Sequence, residues 1–286
     1  MPTTTFSPVV ATSERRVPGF TALRQVDLDA LGVRGSPVAV LDDFRVDGLP
    51  FSPHPHAGFA AVTYVFPDSA GPVRSRASSG ADLTVGPGGI VWTHAGSGVV
   101  HEEVPAVPGR ELHGVQLFIN LSSANKLSQP VVLHLDPPEV PEWVNGSGDR
   151  VRVVVGSFED VRSPLVPIEP FTLLDIELQR GVSFAVPAAH SAIVYVRAGS
   201  LTISAVGHSA RVQGPGAVAL HGAGAPVTLD AVEPARALVL VGAEIDEPRV
   251  ERGPFIMNDL SQIEAAMSRY RSGAMGHLEP AGQRQG

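Results

Sequence analysis

The feature that most constrains the fold of this 286-residue chain is an internal repeat. The segment Gly86-Pro-Gly-Gly-Ile-Val reappears as Gly214-Pro-Gly-Ala-Val-Ala, at an offset of 128 residues. Val62-Thr-Tyr-Val65 has a counterpart in Ile193-Val-Tyr-Val196, at an offset of 131. A period near 130 residues is much longer than the roughly 20 to 50 residues of a solenoid repeat and indicates a duplicated domain. We therefore expect two copies of one fold in tandem.

Both copies consist of short β-branched and aromatic runs separated by turn residues. The chain contains 30 Gly and 26 Pro, and this density favours many short strands over long helices. Strands are predicted at 59–66, 83–92 and 112–121 in the first copy, the second of these broken by a Gly-Pro-Gly-Gly turn. Similar runs at 171–178, 192–197 and 227–231 follow in the second copy. The prediction is an all-β chain in which each copy forms a sandwich or small barrel.

A Pro-rich, polar stretch separates the two copies. Residues 136–150 contain Asp-Pro-Pro-Glu and Asn-Gly-Ser-Gly-Asp and are predicted as a linker. The corresponding domains are 1–135 and 151–286. Near the end, Leu260, Ile263, Met267 and Tyr270 recur at helical spacing, behind Asn258 or Asp259 as N-cap and ahead of Gly273. One short helix is therefore predicted over about 259–272.

Composition excludes several classes of function. The formal net charge is −8 and no run of Lys or Arg exceeds two residues, so direct nucleic-acid binding and binding to an anionic membrane are not expected. Because the chain has no cysteine, disulfides, thiolate nucleophiles and Cys-ligated metals are excluded. Signal-peptide and membrane-spanning patterns are absent as well. We expect a cytoplasmic monomer, with any metal held by His, Asp or Glu.

Two pairs of potential metal ligands stand out in the first copy. His54 and His56 lie in a Pro-flanked segment, and His101 and Glu103 lie on a predicted strand 45 positions further on. Residues two apart on a strand share a face, so each pair projects together while Glu102 points away. The flanking prolines stiffen the first segment and prevent it from being a central strand. These residues predict a site of three His and one Glu between two strands.

Neither pair alone would carry this prediction, because a single His-x-His in a loop is commonly surface decoration. The second copy strengthens it, since His54, His56, His101 and Glu103 align with Ala185, Pro187, Leu229 and Ala231. One metal site is therefore expected in the first copy and a structural role for the second. His94 is predicted to face away, whereas His113 and Gln116 are weaker candidates to line the same cavity.

The donor set restricts the metal without naming it. Four N and O ligands leave two open positions on an octahedral ion, as an iron oxygenase requires for substrate and O₂. Imidazole and carboxylate also suit Mn, Co, Ni, Cu and Zn. The cofactor expected from the residues is one divalent metal ion.

Four motifs in one order resemble those of the pirin family of bicupins. They are Phe51 to Tyr64 (FSPHPHAGFAAVTY), Trp92 to Glu103 (WTHAGSGVVHEE), Leu112 to Leu121 (LHGVQLFINL) and Gly253 to Asn258 (GPFIMN). The resemblance implies two cupin barrels with a metal, usually iron, in the N-terminal one. By this resemblance, the metal ligands of the family correspond to His54, His56, His101 and Glu103.

The resemblance implies two alternative functions. Some pirins resemble quercetin 2,3-dioxygenases, which implies a flavonol or related aromatic substrate, O₂ as co-substrate and Glu103 as the catalytic proton acceptor. Others are non-enzymatic, iron-binding redox sensors or co-regulators that act through a protein partner. The chain departs from the family pattern at Ala57 and Ala60, where the family usually has Arg and Glu. It also has Ser75-Arg-Ala77 in place of a common His-x-Asp. The polar surroundings of the ligands are thus expected to differ.

Overall fold

The computed structural model describes residues 4–32, 37–49, 51–222 and 224–281. Over these residues the chain is built of antiparallel strands and a single α-helix near its end. The prediction of an all-β fold with a short C-terminal helix is therefore confirmed. Within the same ranges, no helix combines the length and the apolar composition needed to cross a bilayer.

The strands are numbered here in chain order. Those before residue 136 are β1 (Thr5–Phe6), β2 (Val10–Ala11), β3 (Ser13–Arg15), β4 (Phe20–Gln25), β5 (Val38–Val46), β6 (His54–His56), β7 (Phe59–Val65), β8 (Val73–Ala77), β9 (Asp82–Val85), β10 (Ile90–His94), β11 (Val99–Pro105), β12 (Leu112–Asn120) and β13 (Val131–Leu135). The strands predicted at 59–66 and 112–121 correspond to β7 and β12, and the Gly-Pro-Gly-Gly turn separates β9 from β10.

A 3-10 turn at Pro137–Glu139 precedes the second half. Its strands are β14 (Glu142–Val144), β15 (Arg150–Val155), β16 (Ser157–Phe158), β17 (Val161–Arg162), β18 (Phe171–Leu178), β19 (Gly181–Ala185), β20 (His190–Ala205), β21 (His208–Gln213), β22 (Gly216–His221), β23 (Pro226–Ala243), β24 (Val250–Arg252) and β25 (Phe255–Met257), and α1 (Leu260–Arg271) follows.

The described chain forms two compact units that do not coincide with the halves of the sequence. Among the described residues, the first barrel comprises 14–24, 38–49, 51–138 and 245–281, and the second comprises 4–13, 25–32, 37, 139–222 and 224–244. The sequence-based domains 1–135 and 151–286 therefore differ from the structure at both ends. The reason is strand pairing: β1 and β2 pair with β22, whereas Phe255 bridges to Ala57. Hydrophobic patterning does not reveal such long-range partners.

Two antiparallel sheets pack face to face in the first barrel. One has the order β13-β10-β7-β12-β5-β4-β3 and the other β6-β11-β8-β9. Apolar side chains from both sheets form an interior cluster of Leu23, Phe44, Val46, Val65, Val73, Val85, Val91 and Leu112. The Pro-flanked β6 lies at the edge of its sheet, where the missing N–H of Pro55 breaks no central ladder.

The second barrel is organised around two long strands, β20 and β23, of 16 and 18 residues. Their register shifts between Val196 and Leu201, where Gly199 has a φ of +76° and lies so close to Pro234 that a Cβ would meet its carbonyl oxygen at 2.1 Å. An L side chain would clash at this irregularity in the ladder, so the position requires glycine. Its interior cluster consists of aliphatic side chains together with Phe158.

The helix begins and ends close to the predicted residues. Asp259 is the N-cap, and its carboxylate accepts a hydrogen bond from the Gln262 N–H at 2.9 Å. Gly273, with a φ of +77°, follows the last turn. The predicted apolar stripe is only partly correct, because Leu260 and Tyr270 are 61% and 41% exposed.

The segment predicted as a linker, 136–150, contains paired structure. β14 pairs with β15, and residues 145–149 form the turn between them. The buried Asp149 carboxylate accepts backbone hydrogen bonds from Gln179, Arg180 and Gly181 at 2.7, 2.8 and 3.3 Å. Turn composition alone does not distinguish a linker from a hairpin whose carboxylate binds backbone N–H groups elsewhere.

The substitution Asp149→Ala is expected to destabilise the protein by about 3 to 5 kcal/mol, because three backbone N–H groups lose a charged acceptor. Chemical denaturation of the two proteins measures this loss. The matched control is Gly146→Ala in the same turn, where an added Cβ meets nothing within 4 Å. A flexible linker would tolerate both substitutions equally, so equal stabilities would contradict the structural role of Asp149.

Candidate metal centre

Two neighbouring strands carry the predicted ligands. β6 and β11 pair antiparallel, with His54 opposite His101 and His56 opposite Val99. Glu103 lies two residues beyond His101 and pairs with Ser75 on the next strand, β8. The prediction that two His-bearing strands lie side by side is therefore correct in its geometry. The register brings all three imidazoles to the same wall of one cavity.

The three imidazoles form a compact triangle. Their ring centroids are separated by 4.8 Å for His54 and His56, 4.8 Å for His54 and His101, and 4.7 Å for His56 and His101. One ring nitrogen from each residue lies within 4.8 Å of the others. His56 and His101 are buried, whereas His54 is half-buried.

Hydrogen bonds orient two of these rings. His54 Nδ1 is 2.9 Å from the Ser52 carbonyl oxygen, and His56 Nδ1 is 3.4 Å from that of Pro254. Since a carbonyl oxygen only accepts, both Nδ1 atoms carry the proton and both Nε2 lone pairs remain available to a metal. His101 Nδ1 is buried with no hydrogen-bond partner. Three neutral nitrogen donors in one place fit a divalent transition metal.

The electrostatics keep all three histidines neutral. Burial lowers the pKa of His56 to about 3, and repulsion between protonated His56 and protonated His54 acts in the same direction. Burial also lowers the pKa of His101 far below 6.5, assisted by His56 and His54, and it lowers the pKa of His54. Neutral imidazole is the form that binds metals, so no proton has to be displaced near neutral pH.

Glu103 lines the same cavity as the histidines, but its carboxyl oxygens lie outside the compact group that the three imidazoles form. Its Oε2 accepts a hydrogen bond from Thr63 Oγ1 at 2.5 Å, and the Ser75 hydroxyl donates to the same carboxyl group. Burial raises the pKa of Glu103, and the hydrogen bonds from Thr63 and Ser75 offset part of that rise. The carboxyl group is thus held in place and suited to accept a proton.

Glu102 faces the opposite side of the strand, as predicted. Its buried carboxylate pairs with Arg76 and accepts a hydrogen bond from the Ala281 N–H at 3.1 Å. Arg76 in turn donates to the Glu279 carbonyl oxygen at 2.7 Å. Behind the ligand strands, Ala57 and Val100 pack into an apolar cluster with β25 and α1. The C-terminal segment therefore covers the outer face of β6 and β11.

The cavity in front of the ligands has a volume of about 400 Å³. Its walls are mainly apolar, with side chains of Val17, Phe20, Leu23, Val40, Phe44, Val46, Phe51, Val73, Leu112, Phe118 and Pro254. Besides the predicted ligands, the polar lining residues are Asp42, Thr63 and Gln116. Neither Lys nor Arg is among the described lining residues. This surface suits a largely apolar, uncharged ligand with a few hydroxyl groups.

The weaker candidates for lining the cavity, Gln116 and His113, lie on opposite faces of β12. Gln116 lines the cavity as predicted, but His113 lies on the other face of β12, where its ring nitrogens contact Asp43 at 3.2 Å and Asp68 at 3.0 Å. The prediction for His113 was wrong, because residues three apart on a strand take opposite faces. His94 also lies outside the cavity lining, and its Nε2 is 2.6 Å from Ser128 Oγ.

Thr63 and Asp42 are site residues that the sequence reasoning missed. The available signal for Thr63 was a hydroxyl in β7, a strand in which every residue is buried. Ser75 was noted only as a departure from the family pattern, yet it supplies a hydrogen bond to Glu103. Ala57 and Ala60, the other departures, are fully buried. Their positions hold apolar packing where related sequences have charged residues.

Comparison with known proteins shows to which family this chain belongs. The family model described as Pirin matches residues 7–119, and the model described as Pirin C-terminal cupin domain matches residues 173–276. A Vibrio cholerae protein that carries the provisional name quercetin 2,3-dioxygenase is 33% identical over 250 residues, which are 83% of this chain and 86% of that protein. This chain belongs to the pirin family.

Other pirins and solved structures agree. A pirin-like protein of tomato, Solanum lycopersicum, is 32% identical over 252 residues, 84% of this pirin and 82% of the relative. A crystal structure of quercetin 2,3-dioxygenase from Acinetobacter baumannii superposes with a TM-score of 0.85 at 27% identity, covering 96% of this pirin and 99% of that chain. An Escherichia coli pirin crystallised with nickel(II) shares the fold, with a TM-score of 0.63 at 18% identity, covering 84% and 99%. The predicted tandem of cupin barrels is confirmed.

The buried histidines predict that the metal-free pirin becomes less stable as the pH falls below 6.5. The unfolded chain then gains protons, while folded His56 stays neutral until about pH 3. Unfolding is thereby favoured, by about 2 kcal/mol at pH 5 for this residue alone. Urea denaturation of chelator-treated protein from pH 8 to pH 5 measures the effect. The variant His56→Gln is expected to show a smaller pH dependence, and the exposed control His208→Gln an unchanged one. A flat stability profile would contradict burial of neutral histidines.

Proposed function

We propose that this pirin is a dioxygenase that uses one divalent metal ion, iron, to cleave a flavonol or a related aromatic with adjacent hydroxyl and carbonyl groups. The ligands in this proposal are His54, His56, His101 and Glu103. The observation that carries it is the convergence of three imidazoles at one point in an apolar cavity that Glu103 also lines. The names of the Vibrio and Acinetobacter relatives support quercetin as the substrate to test.

The chemistry of the donor set supports an oxygenase. Three imidazoles and one carboxylate leave room on an octahedral ion for a substrate oxygen and O₂. When bound, iron would supply Lewis acidity towards the substrate hydroxyl and a redox partner for O₂. The protein supplies the geometry, because β6 is stiffened by Pro55 and the rings are already oriented by Ser52 and Pro254.

The cavity supports an aromatic substrate. Its volume of about 400 Å³ lies in the usual range for small-molecule sites, and phenyl rings of Phe20, Phe44, Phe51 and Phe118 line it. Phe51 lies over His54, with ring centroids 5.8 Å apart, and it is 53% exposed. A flat substrate that enters between these rings excludes water from the ligand wall.

Glu103 supports the proton transfer that such a reaction needs. Its raised pKa suits a group that takes the proton of the substrate hydroxyl at a carboxyl oxygen. Thr63 and Ser75 hold the carboxyl group in place, while Asp42 and Gln116 offer polar contacts to further ring hydroxyls. A carboxylate or phosphate group on the substrate would find no cationic side chain among the described lining residues.

The decisive experiment is aerobic incubation of iron-loaded pirin with quercetin. We expect loss of the flavonol absorbance and release of CO. The variant His101→Ala is expected to lose at least about 100-fold in rate, because the metal loses a ligand, while His208→Ala keeps wild-type activity. Wild-type protein that holds iron but matches His101→Ala would contradict the dioxygenase. That result would favour the alternative, a metal-binding protein that acts through a protein partner.

The hydrogen bond from Thr63 predicts a second outcome. Thr63→Val preserves shape but removes the donor to Glu103, and metal affinity is expected to fall by about 10- to 100-fold. The matched control is Thr93→Val on β10, because the buried Thr93 hydroxyl has no hydrogen-bond partner and its loss leaves the affinity unchanged. Competition with a chelating dye measures both affinities. Equal affinities in the two variants would show that Thr63 does not orient the ligand.

A further inference from the structure

Lys126 is a buried lysine close to the ligand strand that the proposed chemistry does not use. Its side chain is 1% exposed. Its Nζ donates to the carbonyl oxygens of Gly58 and Ile256, both at 3.0 Å, and to Asn120 Oδ1 at 2.6 Å. An ammonium group is the side-chain group that donates three hydrogen bonds from a single atom. Lys126 therefore joins three separate parts of the first barrel at one point.

Two of these contacts fix the backbone behind the ligands. Gly58 follows His56 by two residues, and its N–H donates to the Gly96 carbonyl oxygen at 2.8 Å. Ile256 lies on β25, where its N–H donates to the Ala57 carbonyl oxygen at 3.1 Å. The two chains approach so closely that a Cβ on Gly58, which has a φ of +83°, would lie 1.9 Å from the Ile256 carbonyl oxygen. Two carbonyl oxygens meet here, and the ammonium group lies against both.

The same C-terminal strand reaches the metal centre. Pro254, two residues before Ile256, supplies the carbonyl oxygen that faces His56 Nδ1 at 3.4 Å, and Pro254 also lines the cavity. This distance is long for a hydrogen bond, so a small displacement of the strand would break it. A displacement of Ile256 relative to Gly58 would therefore also displace the Pro254 carbonyl oxygen from His56 Nδ1.

We propose that Lys126 is a positioning residue that fixes His56 in its Nδ1-protonated, metal-ready tautomer by holding the carbonyl oxygens of Gly58 and Ile256 together. The effect on metal binding rests on the proposed function, but the tautomer of His56 is a property of the metal-free protein. The two claims are therefore tested separately.

The test uses full-length, metal-free protein with ¹⁵N-labelled histidine. Two-bond ¹H–¹⁵N correlation spectra report the tautomer of each ring. In the wild type, His56 is expected as the pure Nδ1–H form. The variant Lys126→Met keeps an unbranched apolar stem, ends one atom short of Nζ and donates nothing, so we expect a mixture of both tautomers. Titration of the same proteins with Zn²⁺ is expected to give a dissociation constant about 10- to 100-fold higher for the variant.

Asn120→Ala separates positioning from stability. It removes the third acceptor of Lys126 and leaves both carbonyl contacts in place, so it is expected to lower the melting temperature while keeping the wild-type tautomer and a Zn²⁺ affinity within about twofold of wild type. The proposal is overturned if Lys126→Met keeps the pure Nδ1–H form, or if Asn120→Ala disturbs His56 as strongly as Lys126→Met does.

Lys126→Gln keeps the test decisive if Lys126→Met does not fold. Its amide is one bond shorter and donates at most two hydrogen bonds, so an intermediate tautomer mixture is expected, and an undisturbed His56 would overturn the proposal. A pirin that binds no metal but shows these tautomer changes would refute the proposed function and leave the role of Lys126 standing.

Discussion

The first barrel has to hold three imidazoles close together in their neutral form, and the arrangement of its strands and C-terminal segment depends on this constraint. Histidines whose ring centroids lie less than 5 Å apart would repel one another if protonated, and the low-dielectric surroundings would strengthen that repulsion. The wall behind them must therefore stay dry. The C-terminal segment provides this cover, because β25 and α1 pack against Ala57 and Val100. The candidate metal centre in the first barrel thus depends on residues more than 150 positions further along the chain.

The two barrels differ in polarity at the positions that the repeat aligns with the predicted ligands. Leu229, which aligns with His101, is fully buried in the aliphatic core of the second barrel, and Ala185 and Pro187, which align with His54 and His56, are exposed. Buried apolar side chains stabilise a barrel, whereas buried polar groups require partners and lower its stability when those partners are lost. In the first barrel, this loss of stability falls on the buried histidines of the candidate metal centre.

The sequence predicted those features that follow from local rules. Alternation on a strand placed His101 and Glu103 on one face and Glu102 on the other, and proline chemistry placed β6 at an edge. Features that depend on a distant partner were not predictable in this way. The Thr63 hydroxyl contacts Glu103 from the opposite sheet, 40 residues away. Lys126 contacts Ile256 across 130 residues. No periodicity encodes such pairs, because they depend on how the sheets close and on which barrel the chain ends join.

Two acceptors, Glu103 and Gln116, lie within hydrogen-bond distance of the single hydroxyl proton of Thr63. Thr63 Oγ1 lies 2.5 Å from Glu103 Oε2 and 3.0 Å from Gln116 Oε1, but a hydroxyl group donates only one hydrogen bond. Gln116 cannot turn its amide to donate to Thr63, because its Nε2 already donates to the Val62 carbonyl oxygen at 3.1 Å.

The protonation state of Glu103 decides which acceptor is satisfied. When Glu103 is protonated, it donates to Thr63 and Thr63 donates to Gln116, so every acceptor is satisfied. When Glu103 is ionised, Thr63 turns towards it, and Gln116 Oε1 is left facing the cavity as an acceptor. The ionised state, in which Glu103 could ligate a metal, is therefore also the state in which the cavity offers a free acceptor to a hydroxyl group.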